Sequence, residues 1–371
     1  MNGLHGLIFS YEKRNDLREL GEIRSASSIP FGGRYRAVDF ALSNLVNAGV
    51  GDVGIVLHGP YQSLLDHLGT GKAWDLSRKR GGLQILPLFD YRKKRDGKSA
   101  FRGKMDALAE IRPYLDSIRQ DYVVMMEGDL VANLPISDIF ESHLCSGADI
   151  TVVCGNDSFS TENGTYFEIG SDGWVTDVLY HLKHPRGYRG LEVYILSTER
   201  LKNLVDECSS RDEYSWRRDV LLGRRDPLRL GGYIWDGFTA QIRSVQEYYD
   251  RSMQLLEPEI RADLFRLDRP IRAKGSDRSS AYVGPEGRCV NSLVADGCWI
   301  EGRVENSILF PGVRIGPGAT VRNCILFKDT VVGRNAALSY IISDKNVEIL
   351  EGRTLMGHST YPIVLEKNAK I

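Results

Sequence analysis

From residue 281 onward the chain carries an apolar repeat, and this repeat restricts the fold more than any other feature. One apolar series is spaced 17, 15, 17 and 17 residues apart: Val283, Ile300, Ile315, Val332 and Ile349. Two further series keep the same phase: Val304, Val321 and Leu338, and Val294, Leu309, Leu326 and Ile342. Three in-phase series indicate coils with three faces, which bury their apolar residues by stacking on one another. The pattern predicts a parallel β-helix, because the strands of the alternative, an antiparallel sandwich, would alternate with period two.

The first 250 residues show a different pattern, in which short apolar runs alternate with segments of helical periodicity. The apolar runs lie at 4–10, 53–57, 122–126 and 149–154, and the helical segments lie at 40–48, 62–68, 104–115 and 138–143. This alternation predicts an α/β fold with a mostly parallel sheet. Ligands of such sheets bind beyond the carboxyl ends of the strands. Residues that directly follow the apolar runs are therefore the first candidates for a site.

The segment between these two regions, 251–280, is charged and rich in turn residues. It contains a Glu-Pro pair at 257–258, an Asp-Arg-Pro run at 268–270 and a polar run at 275–280. We therefore predict an α/β domain over 1–250, a connector over 251–280 and a β-helix domain over 281–371.

The balance of charge argues against several classes of protein. The chain has 48 basic and 49 acidic residues, which gives a net charge of −1, whereas a dedicated nucleic-acid-binding protein normally has a basic excess. No uncharged stretch approaches the roughly 20 residues that a membrane span requires. None of the six cysteines forms a CxxC pair, so we expect small buried side chains and not disulfides or metal ligands. We predict a cytoplasmic protein that binds neither nucleic acid nor membranes.

Four places could carry chemistry. Gly32, Gly33 and Arg34 lie between the first strand and the first helix, where a glycine backbone and a cation could meet an anion. Gly103 opens a second helix, whose N-terminus favours anions. Asp129 follows a buried strand and Asp236 follows a further apolar run, and two converging carboxylates could hold Mg²⁺. Taken singly, each feature is more typical of an ordinary turn, cap or helix entry.

Together these segments resemble bacterial glucose-1-phosphate adenylyltransferase (ADP-glucose pyrophosphorylase), and more closely its D-type subunit from glycogen synthesis. The resemblance rests on residues 29–40, 61–64 with His67, 71–87, 101–108, 128–129 and Asp236, and on the β-helix pattern. It implies a Rossmann-like nucleotide-diphospho-sugar transferase domain followed by a left-handed parallel β-helix. It also implies that Asp129 and Asp236 take the metal-binding positions. The implied substrate-binding positions are Gly32, Gly33, Arg34, Gly103, Asp106 and His184.

The reaction implied by the resemblance is attack of the phosphate of glucose 1-phosphate on the α-phosphorus of ATP. A site of this kind must neutralise a triphosphate with backbone amides, basic side chains and Mg²⁺. The sequence departs from the family at those places: Tyr11, Glu12 and Arg14 replace the glycines of the phosphate loop, Ala26 replaces a lysine, and His184 replaces the sugar-phosphate lysine.

We therefore expect a non-catalytic or weakly catalytic regulatory subunit that activates a catalytic partner in a homo- or hetero-tetramer. Mg²⁺ is expected only if the site is active, and otherwise no cofactor is expected. Three alternatives remain open. The first is an active glucose-1-phosphate adenylyltransferase, which the two retained aspartates favour. The second is a hexapeptide acyltransferase, although residues 281–352 contain no histidine that could act as its base. The third is a sugar-phosphate sensor.

Overall fold

A computed structural model describes residues 3–10, 15–89, 102–156, 164–180, 186–224, 227–275 and 277–371. The N-terminal part consists of a layered α/β arrangement. Its strands are β1 (Leu4–Ser10), β2 (Pro30–Phe31), β3 (Tyr35–Arg36), β4 (Asp52–Leu57), β5 (Gly82–Pro87), β6 (Tyr122–Glu127), β7 (Leu130–Ala132), β8 (Ile150–Gly155), β9 (Thr165–Ile169), β10 (Val175–Tyr180), β11 (Tyr188–Ser197), β12 (Leu230–Trp235) and β13 (Thr239–Gln241).

Helices surround this sheet on both faces. They are α1 (Glu19–Glu22), α2 (Ala37–Asn47), α3 (Gln62–Leu68), α4 (Lys104–Glu110), α5 (Arg112–Ser117), α6 (Ile136–Ser146), α7 (Thr198–Ser210), α8 (Val245–Gln254) and α9 (Pro258–Leu264). Short 3₁₀ turns lie at Asn15–Leu17, Ala26–Ser28 and Lys72–Trp74, and a π-helical segment lies at Trp216–Leu222.

The main sheet is mixed, whereas the sequence predicted a mostly parallel one. In the described chain the neighbouring strands β5, β4, β1 and β6 are parallel, but β11 runs antiparallel to both β6 and β8. β9 and β10 are joined by a short turn, which only antiparallel strands allow. Because β4 and β6 flank β1 on opposite sides, the order of strands reverses at β1. Ligands of open α/β sheets bind at such a reversal.

The C-terminal part is a β-helix with three parallel five-stranded sheets, as the sequence predicted. The first sheet contains β14 (Tyr282–Val283), β17 (Trp299–Ile300), β20 (Arg314–Ile315), β23 (Val331–Val332) and β26 (Glu348–Ile349). The second contains β15 (Arg288–Val290), β18 (Arg303–Glu305), β21 (Thr320–Arg322), β24 (Ala337–Ser339) and β27 (Thr354–Met356). The third contains β16 (Leu293–Val294), β19 (Ile308–Leu309), β22 (Ile325–Leu326), β25 (Ile341–Ser343) and β28 (Ile363–Leu365).

The predicted columns agree with the strand register at every coil but one. Ile300, Ile315 and Val332 stack in register, as expected from their spacing. In the third series, however, Leu326 pairs with Ser343, and the predicted member Ile342 pairs with Ile325. Ser343 is fully buried there, and its hydroxyl lies 2.8 Å from the hydroxyl of Thr330. The polar residue in this column is thus satisfied by a hydrogen bond, which apolar periodicity does not reveal.

The β-helix packs against the α/β domain through an apolar cluster. From the third sheet and the turns that follow it, Ile308, Phe310, Ile325, Phe327 and Ile342 contribute to this cluster; from the α/β side, Phe31, Phe40, Tyr248 and Leu264 contribute. The ring of Phe327 lies 6.2 Å from that of Tyr248, and the Tyr248 hydroxyl donates to the carbonyl oxygen of Pro30 at 2.8 Å.

The predicted connector contains ordered structure. α8 crosses the predicted boundary at residue 250, and α9 lies wholly within 251–280. The division of the chain at residues 250 and 280 stays a prediction. In the described residues, no helix has the length and apolar character that crossing a bilayer demands.

Candidate active site

The candidate crevice lies at the carboxyl ends of β1 and β6, where the order of strands reverses. Asp129 follows β6 there and is 4% exposed. The main-chain N–H of Ile242 donates to the Asp129 carbonyl oxygen at 3.3 Å, and β13 pairs with β7 immediately beyond it. A Cβ atom on Gly128 would lie 2.7 Å from Oγ of Ser27. Glycine at this position therefore lets the Ala26–Ser28 turn approach the end of β6 closely.

Ala26 lies on that turn and is buried, with 6% of its surface exposed. Its side chain is a single methyl group, so this position supplies no positive charge to the crevice. The three other replaced loop positions, Tyr11, Glu12 and Arg14, lie outside the described residues, and so does His184. For these four residues the sequence-based interpretation stays a prediction.

Three buried charged side chains meet at the crevice. Nζ of Lys104, the first residue of α4, lies 2.7 Å from Oε1 of Glu127 and 3.9 Å from Oε2 of Glu192. The same ammonium lies 4.9 Å from the ring centre of Phe9 and 5.4 Å from that of Tyr194. Lys104, Glu127 and Glu192 are each at most 7% exposed. Sequence reasoning assigned no role to these three residues, although an acidic residue within a buried apolar run was a usable signal.

Glu192 is held by several neighbours in an unusual backbone conformation. Its φ of 57° is in the left-handed region, at an irregularity of the β11–β8 pairing. Tyr194 donates its hydroxyl to one carboxylate oxygen at 3.0 Å, and Arg217 lies 3.0 Å from the other. Burial raises the pKa of Glu192, but Arg217 and Lys104 outweigh burial and bring this pKa down to about 2. The carboxylate is therefore ionised at every physiological pH.

The predicted residues Gly103 and Asp106 lie at the start of α4, but Asp106 is engaged at the surface. Its carboxylate accepts hydrogen bonds from the main chain of Arg102 at 3.1 Å and from the Arg102 guanidinium at 2.9 Å. The same guanidinium also binds Asp212 at 2.8 Å. A Cβ on Gly103 would lie 2.5 Å from the carbonyl oxygen of Tyr214, so glycine is required by close backbone approach.

The two candidate metal ligands occupy different environments. Asp129 is enclosed by protein, whereas Asp236 is exposed and accepts a hydrogen bond from Nδ2 of Asn156 at 2.9 Å. Within the described ranges no group of three or more His, Cys, Asp or Glu side chains is arranged to hold a metal ion. A Mg²⁺ ion needs ligand oxygens at about 2.1 Å in octahedral order. Such an ion is usually held by one or two carboxylates together with waters and substrate phosphates, so the assignment of Asp129 and Asp236 as its ligands stays a prediction.

A second candidate site, which we term the basic cavity, lies between the α/β domain and the β-helix. It has a volume of about 770 Å³, and the predicted residues Gly32, Gly33 and Arg34 line it. Gly32 and Gly33 have φ values of 61° and 77°, a conformation that favours glycine. The cationic residues that line the cavity are Arg34, Arg36, Arg261, Lys274, Arg278, Lys328 and Lys345, and its acidic residues are Asp66, Asp277 and Asp296. The excess of positive charge can attract an anionic ligand.

The cations of the basic cavity influence one another. Burial, followed by the nearby charges of Arg36 and Arg24, lowers the pKa of Lys345 to about 8. Burial also lowers the pKa of Arg36 to about 10, and its guanidinium donates to the carbonyl oxygen of Ser63 at 2.6 Å. A bound anion would relieve this crowding of positive charge.

Two known protein families match this chain and establish its class. Residues 15–215 match the nucleotidyl transferase family, and residues 279–360 match the C-terminal hexapeptide region of GlmU-like proteins. The protein is therefore a Rossmann-like nucleotidyl transferase domain joined to a hexapeptide-repeat, left-handed β-helix.

Individual relatives define the family more closely. Over 99% of its length the chain is 34% identical to the glycogen biosynthesis protein GlgD of Bacillus subtilis (strain 168), of which the match covers 96%. It is 34% identical to GlgD of Geobacillus stearothermophilus, with 86% of this chain and 83% of the relative covered. It is 30% identical to a glucose-1-phosphate adenylyltransferase of Thermotoga neapolitana, with 87% and 77% covered. The chain belongs to the family of GlgD proteins and glucose-1-phosphate adenylyltransferases, which confirms the resemblance seen in the sequence.

Proposed function

We propose that this chain is a non-catalytic subunit that acts in glycogen biosynthesis in the cytoplasm. It associates with a catalytic glucose-1-phosphate adenylyltransferase and raises the activity of that partner. The observation that carries the proposal is Ala26, which stands where the resemblance implies a lysine and lies buried on the turn that meets the end of β6 at Gly128. A methyl group at this position removes one positive charge that could meet a triphosphate.

The chemistry of nucleotidyl transfer supports this reading. The transferred group carries several negative charges, and catalysis depends on positive groups that are already in place to meet them. Ala26 contributes no charge, and the Lys104 ammonium is already paired with Glu127. Loss of one such group typically lowers the rate by about 10²–10³-fold. Loss of the glycine loop and of two lysine positions, which the sequence predicts, would together leave little activity, even without full additivity.

The purified protein alone is expected to release pyrophosphate from ATP and glucose 1-phosphate at a negligible rate. Mixed with a catalytic family member, it is expected to raise the rate of that member at fixed concentration. A coupled pyrophosphate assay measures both quantities. Turnover by the chain alone in the ordinary enzyme range, about 1–10³ s⁻¹, would instead favour the alternative of an active adenylyltransferase.

Assembly into a homo- or hetero-tetramer is the second part of the proposal, and the open end of the β-helix supports it. Val283 and Cys289, in the first coil, are exposed, whereas Ile300 and Val304, one coil further along the same columns, are fully buried. The strands β14, β15 and β16 are edge strands of the three sheets. An exposed apolar edge strand is a template for pairing with another chain.

Val283→Asp is therefore expected to abolish assembly and activation of a partner while the subunit itself stays folded. Val283 is 47% exposed, so a carboxylate there remains hydrated in the monomer but is desolvated in an interface. Light scattering after size-exclusion chromatography measures the oligomer. Met356→Asp, at the opposite end of the β-helix where Met356 is 72% exposed, is the matched control. Unchanged assembly of Val283→Asp would exclude this end of the β-helix as the interface.

A second candidate function, sensing of a sugar phosphate, is favoured by the basic cavity. Because the pKa of Lys345 is about 8, the lysine is charged at pH 7 and largely neutral at pH 9. Affinity for an anion should therefore fall as the pH rises between these values. Calorimetry with glucose 1-phosphate at both pH values measures the change, and Lys345→Ala should remove most of it. Affinity that does not depend on pH would show that Lys345 does not face the ligand.

A further inference from the structure

We infer that Lys104 is a built-in cation: its ammonium neutralises the buried carboxylates of Glu127 and Glu192 and closes this end of the sheet to a nucleotide and its metal ion. The inference rests on the proposed non-catalytic function and gives it a specific physical cause. It concerns residues other than the two aspartates that were predicted as metal ligands.

The register of the sheet brings the two glutamates together. Val193 of β11 pairs with Met126 of β6, and the next position along both strands holds Glu192 and Glu127. Like charges at neighbouring positions on paired strands repel each other. Both carboxylates are also buried, at 3% and 5% exposure. A buried charge is tolerated only when it is paired, so this arrangement requires a cation at the end of β6.

Lys104 supplies that cation from the start of α4. The contact between Gly103 and Tyr214 fixes the start of α4, and the main-chain N–H of Met105 donates to the Tyr214 carbonyl oxygen at 3.0 Å. From there the lysine reaches Glu127 at 2.7 Å, beside the ring of Phe9 at the end of β1. The ammonium thus lies beside residues near the carboxyl ends of the neighbouring strands β1 and β6, and open α/β sheets bind their ligands at such ends.

The surroundings of Glu192 make this arrangement rigid. Its left-handed backbone is unfavourable for a residue with a side chain, and it is held by contacts with Thr165, Tyr194 and Arg217. A nucleotide and its metal ion could enter only by displacing an ammonium that two buried carboxylates hold. The crevice is consequently filled by protein charges that already neutralise one another.

The test is whether removal of the ammonium creates a metal site. Mn²⁺ is the probe, and its binding is followed by electron paramagnetic resonance and calorimetry. Lys104→Ala is expected to gain one Mn²⁺ site that binds roughly tenfold or more tightly than any site of the wild type. The double variant Lys104→Ala/Glu192→Gln should lose this gain. Lys202→Ala removes a lysine whose ion pair with Asp116 is partly exposed, and is the matched control. A folded Lys104→Ala protein without additional Mn²⁺ binding would overturn the inference.

A measurement on the wild type covers the case in which Lys104→Ala does not fold. Amine acetylation mapped by mass spectrometry should modify Lys104 roughly a hundredfold more slowly than the exposed Lys79, because only opened molecules react. Mg²⁺ and ATP should not change that rate. Fast acetylation, or protection of Lys104 by ATP, would overturn the inference. Neither result depends on pyrophosphate release, so these measurements test the inference independently of the proposed function.

Discussion

Phe327→Ala is expected to lower the free energy of unfolding by about 3–5 kcal/mol, the range for removal of a buried aromatic ring. Phe327 has no exposed surface, and its ring lies 5.1 Å from that of Phe310 and 6.2 Å from that of Tyr248. Its ring therefore packs against residues of both the β-helix and the α/β domain. Urea denaturation followed by fluorescence and circular dichroism measures the change. We also expect the fluorescence and circular dichroism transitions to occur at different urea concentrations, because the space left by the removed ring weakens the contact between the two domains.

Phe89→Ala is the control for this prediction, since it makes the same chemical change at a ring that is 54% exposed. Its effect should stay within about 0.5 kcal/mol, as for most surface substitutions. If Phe327→Ala cost no more than Phe89→Ala, the apolar cluster would not be what joins the two domains.

The β-helix was the most predictable part of the molecule, for a physical reason. Each coil presents its apolar residue at the same phase, so the spacing of Ile300, Ile315 and Val332 directly encodes the register of the strands. The prediction was wrong at Ile342, because Ser343 is the residue that pairs with Leu326. The hydroxyl of Ser343 is satisfied by its hydrogen bond with Thr330. Periodicity records apolar burial and does not record a polar group that is satisfied by a partner from another turn.

The α/β sheet was predictable in its elements but not in the direction of all its strands. The runs that became β1, β4, β6 and β8 were found from apolar composition. The antiparallel direction of β11 depends on the chain returning without a crossover helix. A strand pattern alone does not record that path, because buried strands read as the same apolar run in either direction.

The candidate site was only partly predictable. Asp129 was found because it ends a buried strand, which is a local feature. The pairing of Lys104 with Glu127 and Glu192 joins three separate segments, and it follows from the β6–β11 register and the position of α4. In the same way, Gly32 faces the basic cavity only because the β-helix folds back onto the first domain.

Arg24→Ala is expected to have the second large effect, a loss of about 3–5 kcal/mol in the free energy of unfolding, because it leaves Asp344 buried without its cation. Nη2 of Arg24 lies 2.5 Å from Oδ2 of Asp344, and both side chains are 2% exposed. The pair joins the α/β domain to the β-helix. Arg78→Ala is the control, since Arg78 pairs with Asp75 at the surface with 47% and 77% exposure; such pairs contribute at most about 1 kcal/mol.

A double-mutant cycle distinguishes two causes of this loss of stability: the cost of leaving Asp344 unpaired, and the loss of a net stabilising ion pair. Within the described residues, Nε and Nη1 of Arg24 find no hydrogen-bond partner, so the native guanidinium is itself incompletely satisfied. The double variant Arg24→Met/Asp344→Leu should therefore be close to the wild type in stability, since apolar replacement of a buried ion pair is often neutral or stabilising. A double variant as unstable as Arg24→Ala would show instead that the pair contributes net stability. In the expected case, the pair sets which surfaces of the two domains meet, and the apolar cluster around Phe327 provides most of the stability of their contact.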